Sequence, residues 1–303
     1  MLRGTLLYLA DQPAVRNFVL ANGLSRRAAR RFVAGEQLDE ALEVVRALNQ
    51  RGAAVSLDHL GENVCDAHEA CAAAQDYLAI LERIKQARLT ASISIKLTAL
   101  GLDIGTDLAR QNLSQVLACA EEYGIFVRVD MEGSAYTERT IQLVLEMRQR
   151  FTCVGTVLQA YLYRTRKDME TLIAAGVRIR LVKGAYKEPR EIAFPHKADV
   201  DQNYIELMHI LLQRGDYPAI ATHDERLINE AKRFAYARGI ARSQFEFQML
   251  YGIRRDLQQR LISEGYNLRV YVPYGTQWYP YLTRRMAERP ANLLFVASNV
   301  LRR

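Results

Sequence analysis

Near the C-terminus, the stretch Tyr281-Leu-Thr-Arg284-Arg285-Met-Ala-Glu288 spaces four polar side chains at i, i+3, i+4 and i+7. On a helix these positions share one face. That face would ordinarily be apolar, yet here it carries a phenol, two guanidiniums and a carboxylate. Guanidinium forks meet carboxylates two hydrogen bonds at a time. The arginine pair therefore suggests a site that grips a small carboxylate.

Other residues that could do chemistry stand at the ends of short apolar runs. They are Lys96, Asp130, Gln159, Arg180 leading into Lys183-Gly184-Ala185-Tyr186, Thr222-His223-Asp224, Gln248 followed by Leu250, and Tyr271. Each has a plainer reading. Lys96, between Ile95 and Leu97, fits a structural ion pair inside a barrel as well as a desolvated Schiff-base lysine. Asp130 fits a helix cap, and His223 a satisfied core histidine. Tyr271 and Tyr281 fit core aromatics. Lys183-Gly184-Ala185 could meet a phosphate through the lysine and a close backbone approach, although P-loop spacing is absent. What counts is the coincidence of so many polar groups at run ends.

The runs themselves read as strands over residues 53–57, 91–97, 125–130, 155–159, 177–182, 219–222, 245–249 and 268–272. Helical periodicity separates them, for example over 108–123, 137–151, 167–176, 226–238 and 251–264. Before the first strand, 13–20, 25–32 and 38–52 read as helices, with Ser25 as an N-cap and Gly52 as a stop. Eight strands alternating with helices predict a closed (β/α)8 TIM-type barrel over 51–303, preceded by an N-terminal helical arm over 1–50. A doubly wound open sheet is the alternative, but its GxGxxG turn is missing. In such barrels the active site lies at the C-terminal strand ends. Seven of the eight strands deliver polar or ionisable groups to that rim.

Bulk properties narrow the classes. Half of the 303 residues are apolar and a quarter charged, an ordinary soluble composition with ample core material. No apolar run is long enough to span a membrane, and the first ten residues lack a secretory h-region and cleavage site. Cys65, Cys71, Cys119 and Cys153 form no CxxC pair and have no His at metal-like spacing, which predicts reduced thiols in a cytoplasmic protein and no metal site. The net charge of +7 is spread along amphipathic helices. It predicts solvated helix faces rather than a nucleic-acid partner.

Arg180-Leu-Val-Lys183-Gly-Ala-Tyr186, Ala221-Thr-His223 and Tyr281-Leu-Thr-Arg284-Arg285-Met-Ala-Glu288 resemble, in the same order, the motifs of the proline dehydrogenase family. The resemblance runs from about Val55 to the C-terminus, and the length is similar to the monofunctional bacterial branch, without room for an aldehyde-dehydrogenase half. It implies a distorted (β/α)8 barrel and a non-covalent FAD. The implied reaction oxidises L-proline to Δ1-pyrroline-5-carboxylate by hydride transfer from C5 to flavin N5. It also implies a membrane quinone as electron acceptor and peripheral contact with the cytoplasmic membrane face.

By the same resemblance, Arg284, Arg285 and Lys96 attend the substrate carboxylate. Tyr271, Tyr281 and Leu250 wall the proline ring, and Glu288 buttresses the basic cluster. Asp130 and Arg180 are catalytic positions, with Arg180 near flavin N5. Met131, Gln159, Lys183, Gly184, Ala185, Tyr186, Thr222 and His223 contact FAD. Glu62, after Gly61, resembles a gate residue that meets Arg284 on closure. Lys187 departs from the Trp of longer members, which leaves the cofactor contacts over 187–199 open. Rival readings are a Schiff-base aldolase using Lys96, a flavin barrel of the methylenetetrahydrofolate reductase type, and a basic binding module.

Overall fold

The computed structural model describes Gln12, residues 29–61 and residues 64–288. Eight parallel strands close into a barrel in sequential order, β1 pairing with both β2 and β8. The strands are β1 Ala54–His59, β2 Ala91–Ile95, β3 Val127–Val129, β4 Val154–Gln159, β5 Arg178–Val182, β6 Ala219–Ala221, β7 Glu246–Leu250 and β8 Asn267–Tyr274. Helix α1 (Leu38–Gln50) precedes them. Helices α2 (Ala67–Gln86), α3 (Thr106–Tyr123), α4 (Ser134–Arg148), α5 (Thr165–Ala174), α6 (Lys197–Arg214), α7 (Glu225–Ala237), α8 (Arg255–Ser263) and α9 (Trp278–Glu288) each follow one strand. The expected (β/α)8 barrel is the architecture observed.

Local chemistry explains several boundaries. Asp66 caps α2 by accepting from the Glu69 N–H. Gly124 takes a left-handed conformation at φ 70° and ends α3. The helix expected from Tyr251 starts only at Arg255, because Gly252 (φ 76°) and Arg254 (φ 48°) turn the chain first. The predicted helix at 13–20 and residues 25–28 of that predicted over 25–32 lie outside the described residues; of the rest, 30–32 form a turn.

The main apolar core lies between sheet and helices, not inside the barrel. Leu57, Ile93, Ile95, Leu81, Ile84 and Leu113 are fully buried in that layer, each contributing roughly 1.5–3 kcal/mol. Leu42 and Val45 of α1 belong to the same core. The Ala34 N–H donates to the Pro273 carbonyl of β8 at 2.8 Å. The C-terminal helix of the expected 1–50 arm is thus part of the barrel's own packing.

Candidate active site

The barrel interior is polar and charged. Side chains alternate along a strand, so residues 56 and 58 of β1 face inward when Val55 and Leu57 face the helices. The bonds confirm this. Arg180 of β5 reaches across to Ser56 of β1 at 3.2 Å, Ser94 of β2 at 3.1 Å and Gln248 of β7 at 2.5 Å. Barrel interiors of this type are usually filled by branched apolar residues. Here the closed end instead holds Arg128, Glu246 and Arg269. Arg269 Nε donates to Glu246 at 2.9 Å, and Arg128 Nη1 donates to the carbonyls of Thr156 and Arg178. A Cβ at Gly155 would sit 2.4 Å from the Arg178 carbonyl and 3.0 Å from Arg128 Nη1. Glycine there makes room for that guanidinium.

Towards the mouth, Asp130 becomes the hub. Its Oδ1 accepts from Arg180 Nη1 at 2.8 Å, and its Oδ2 accepts from the Tyr271 hydroxyl at 2.8 Å. The Arg180 guanidinium lies over the Tyr271 ring, 5.2 Å from its centroid. Burial, reinforced by the Asp130 and Asp58 charges, pushes the Tyr271 hydroxyl well above its ordinary pKa, so it stays a donor. Asp130, Arg180 and Tyr271, picked from three separate strand ends, thus form one bonded unit. Asp130 does not cap a helix; the backbone of α4 begins at Ser134, behind Gly133.

Lys96 pairs with Asp58 at 3.0 Å, their side chains 11 % and 1 % exposed. Burial raises the Asp58 carboxyl, with Lys96 pulling the other way. The structural ion pair weighed for Lys96 is present, and a neighbouring carboxylate favours the charged amine over a Schiff-base nucleophile.

The other strand ends are linked neighbour to neighbour. Gln159 Nε2 donates to the carbonyls of Met131 and Glu132 at 3.1 and 2.9 Å. Its buried Oε1 has no partner among the described residues. His223 Nε2 accepts from the Leu250 N–H at 2.9 Å, which places its proton on Nδ1. Thr222 Oγ1 accepts from the Asp224 N–H. Lys183 Nζ bridges Asp201 at 2.5 Å and Asp224 at 3.3 Å. Hydrogen bonds from Arg226 hold the Asp224 carboxyl down at about 2.

Gly184 packs closely against Tyr161. Its φ is +119°, and a Cβ would come 2.3 Å from the Tyr161 ring. The absence of a side chain there makes room for the Tyr161 ring. Ala185 and Tyr186 continue the same half-buried turn. The next segment is tied down by Glu188, which accepts from the Ser134 N–H at 2.8 Å and the Ser134 hydroxyl at 2.5 Å.

Helix α9 carries Tyr281, 7 % exposed, against Leu60, Val33, Trp278 and Tyr279. Its backbone runs to Glu288. The side chains of Arg284, Arg285 and Glu288 lie outside the described residues, as does Glu62. Among the described residues no helix is long and apolar enough to cross a membrane, and no group of three His, Cys, Asp or Glu side chains could hold a metal ion.

Sequence reasoning missed Asp58, Arg128, Glu246 and Arg269. The available signal was inward alternation. Ser56-x-Asp58, Arg178-x-Arg180, Glu246-x-Gln248 and Arg269-x-Tyr271 each put two polar side chains on the same face of a strand.

The chain has clear relatives. A profile described as proline dehydrogenase matches residues 41–298. Proline dehydrogenase 2 of Bacillus subtilis (strain 168) is 44% identical over 92% of each chain. Proline dehydrogenase of Deinococcus radiodurans is 44% identical over 99% of this chain and 98% of its own. Among solved structures, proline utilization A (PutA) from Bdellovibrio bacteriovorus, inactivated by N-propargylglycine, superposes with a TM-score of 0.83 at 25% identity. That match covers 91% of this chain and 34% of the PutA chain. This chain belongs to the proline dehydrogenase family, in its monofunctional bacterial branch.

Proposed function

We propose that the protein oxidises L-proline to Δ1-pyrroline-5-carboxylate at the barrel mouth, the first step of proline catabolism to glutamate, with non-covalent FAD as cofactor. The observation that carries this reading is the Arg180–Asp130–Tyr271 unit together with Gln159, which bonds the carbonyls that follow Asp130 and whose Oε1 has no partner among the described residues. With both amide hydrogens of Gln159 directed to backbone carbonyls, Oε1 is left as a buried acceptor that fits a ring N–H of an isoalloxazine. Arg180 is a fixed cation at the same mouth, suited to charge developing on such a ring.

When bound, FAD would supply the hydride acceptor for proline C5, with a membrane quinone as the eventual electron acceptor. Met131, Gln159, Arg180, Lys183, Gly184, Ala185, Tyr186, Thr222 and His223 would hold it. Lys183 has two aspartate partners, so it would meet the cofactor as part of a balanced cluster.

Arg284 and Arg285 grip the proline carboxylate and thereby fix the ring. Tyr271, Tyr281 and Leu250 wall it, Glu288 steadies the arginines, and Glu62 closes over it. The substrate amine must lose its proton before hydride can leave the adjacent carbon. Cations around the carboxylate disfavour a second positive charge and so promote that loss. Asp130 accepts from both Arg180 and Tyr271, so its part is to hold these two side chains in place. Lys96, balanced by Asp58, adds less field than the arginine pair. The enzyme works in the cytoplasm, peripherally at the membrane face where quinone is available.

Anaerobic addition of proline to the purified yellow protein tests the reading. Bleaching of the flavin band is expected. A band that bleaches with NADH but not with proline would overturn it in favour of a reductase.

A further inference from the structure

Arg180 is bound from below as well as from the mouth. A guanidinium has five N–H donors. Nε donates to Gln248 Oε1 at 2.5 Å, Nη1 to Asp130, and Nη2 to Ser94 and Ser56. The remaining N–H sits on Nη1, the nitrogen that already faces the strand-end Asp130. The Nε bond sets the plane of the fork, and with it the direction of that last donor.

Gln248 has an orientation problem of its own. One end of its amide accepts and the other donates, and the two ends are nearly the same size. Only the accepting end can hold Arg180. Glu246 lies two residues earlier on the same inward face of β7. Its carboxylate accepts from Gln248 Nε2 and cannot donate in return. Glu246 is fixed by Arg269 Nε at 2.9 and 3.1 Å, and Arg269 Nη1 is anchored on the Val55 carbonyl at 3.0 Å and Ser92 Oγ at 3.2 Å. Glu246 and Gln248 are 2 % and 3 % exposed.

We propose that Gln248, oriented by Glu246, is a positioning residue for the oxidation: from the closed end of the barrel it aims the last donor of Arg180 at the reacting centre. This rests on the functional reading above, in which Arg180 faces the flavin.

The test uses the holoenzyme with Gln248→Met, which keeps the length and removes the acceptor, and the exchange Glu246→Gln with Gln248→Glu. The exchange keeps the bond from Arg180 to 248, the bond between 248 and 246, and one of the two Arg269 bonds: the new carboxylate accepts from Arg180 and from the new amide, and the oxygen of that amide accepts from Arg269. Gln248→Met should slow flavin reduction by proline about tenfold, the worth of one charged hydrogen bond. It should also shift the flavin equilibrium about tenfold towards the oxidised form, ~30 mV for two electrons. The KM for proline should stay within about twofold. The exchange should restore both rate and potential. A wild-type potential and rate in Gln248→Met would overturn the proposal, as would an exchange variant with a lowered potential. If Gln248→Met does not yield folded holoprotein, the potential of the exchange variant decides alone. The potential is read by reductive titration without proline, so a wild type that fails to react with proline sinks the functional reading separately.

Discussion

Replacing Asp58 by Asn tests the charge balance at the mouth. Asp58 and Lys96 are 3.0 Å apart with side chains 1 % and 11 % exposed, so neither charge has much water to fall back on. At that separation their attraction is about 5 kcal/mol for an effective dielectric near 20. Removing one partner of a buried pair typically costs about 3–5 kcal/mol, because the other charge is left uncompensated. Asp58→Asn and Lys96→Met should each lose that much in urea unfolding at neutral pH, with unchanged m-values. The double variant should recover most of it and show a coupling of about 3 kcal/mol. Losses that simply add, within about 0.5 kcal/mol, would refute a closed pair. A kinetic arm uses the same Asp58→Asn protein. With the Asp58 charge gone, the mouth is more positive and disfavours the protonated amine of bound proline, so the acid limb of kcat should move to lower pH. A limb that stays put, despite strong coupling in unfolding, would mean that the Lys96 charge does not reach the substrate.

Arg284→Met should raise the KM for proline while FAD stays bound, because one arm of a carboxylate clamp is worth about 2–5 kcal/mol; an unchanged KM in steady-state kinetics would remove the clamp. Tyr271→Phe deletes the hydroxyl that donates to Asp130 at 2.8 Å but keeps the ring over Arg180. Its kcat/KM should fall roughly 10–100-fold, from about 1.5–3 kcal/mol for a bond to a charged group, with flavin content unchanged by absorbance. Glu121 accepts from the backbone of Thr152 and Cys153 at 3.1 and 2.9 Å, and hydrogen bonds to that segment hold its carboxyl at about 2. Its folded pKa is depressed, so its contribution is complete above the ordinary carboxylate range and is lost as pH falls towards 2. Glu121→Gln should therefore be less stable than wild type at pH 7, and the two melting curves should converge in acid.

Strand and helix order was legible because alternation and helical periodicity are strong over most of the chain. Strand ends were less so. The reading of strand one stopped at Leu57 and lost Asp58, although β1 continues to His59. The third strand was read from Ile125 but is regular only over Val127–Val129, since a barrel strand needs partners on both sides. Lys183-Gly184 was legible as a motif, but the packing of Gly184 against the Tyr161 ring was not, being a contact 23 residues away in sequence that no local pattern encodes. Asp130, Arg180 and Tyr271 were each legible as strand-end polar groups. Their union was not, because their hydrogen bonds cross the barrel.

The same crossing explains why the interior charges were read past. In an open, half-solvated sheet, the polar face of an alternating strand is its wet face. Ala91-Ser-Ile-Ser-Ile-Lys looks like such a strand, with Ser92, Ser94 and Lys96 towards water. Closure of the barrel turns that face inward and gives the apolar face to the helices. An interior built this way cannot rest on hydrophobic burial. It must satisfy polar groups geometrically, which is why Arg180 carries bonds to three strands and to Asp130 just beyond a fourth, and Glu246 is bound to both Arg269 and Gln248. A network that assigns four of the five Arg180 donors can hold one cation at the mouth in one orientation. A packed aliphatic interior would be more forgiving of mutation, but it could not aim a guanidinium. The polar interior is therefore part of the active site's support, and substitutions at the closed end should be felt at the mouth.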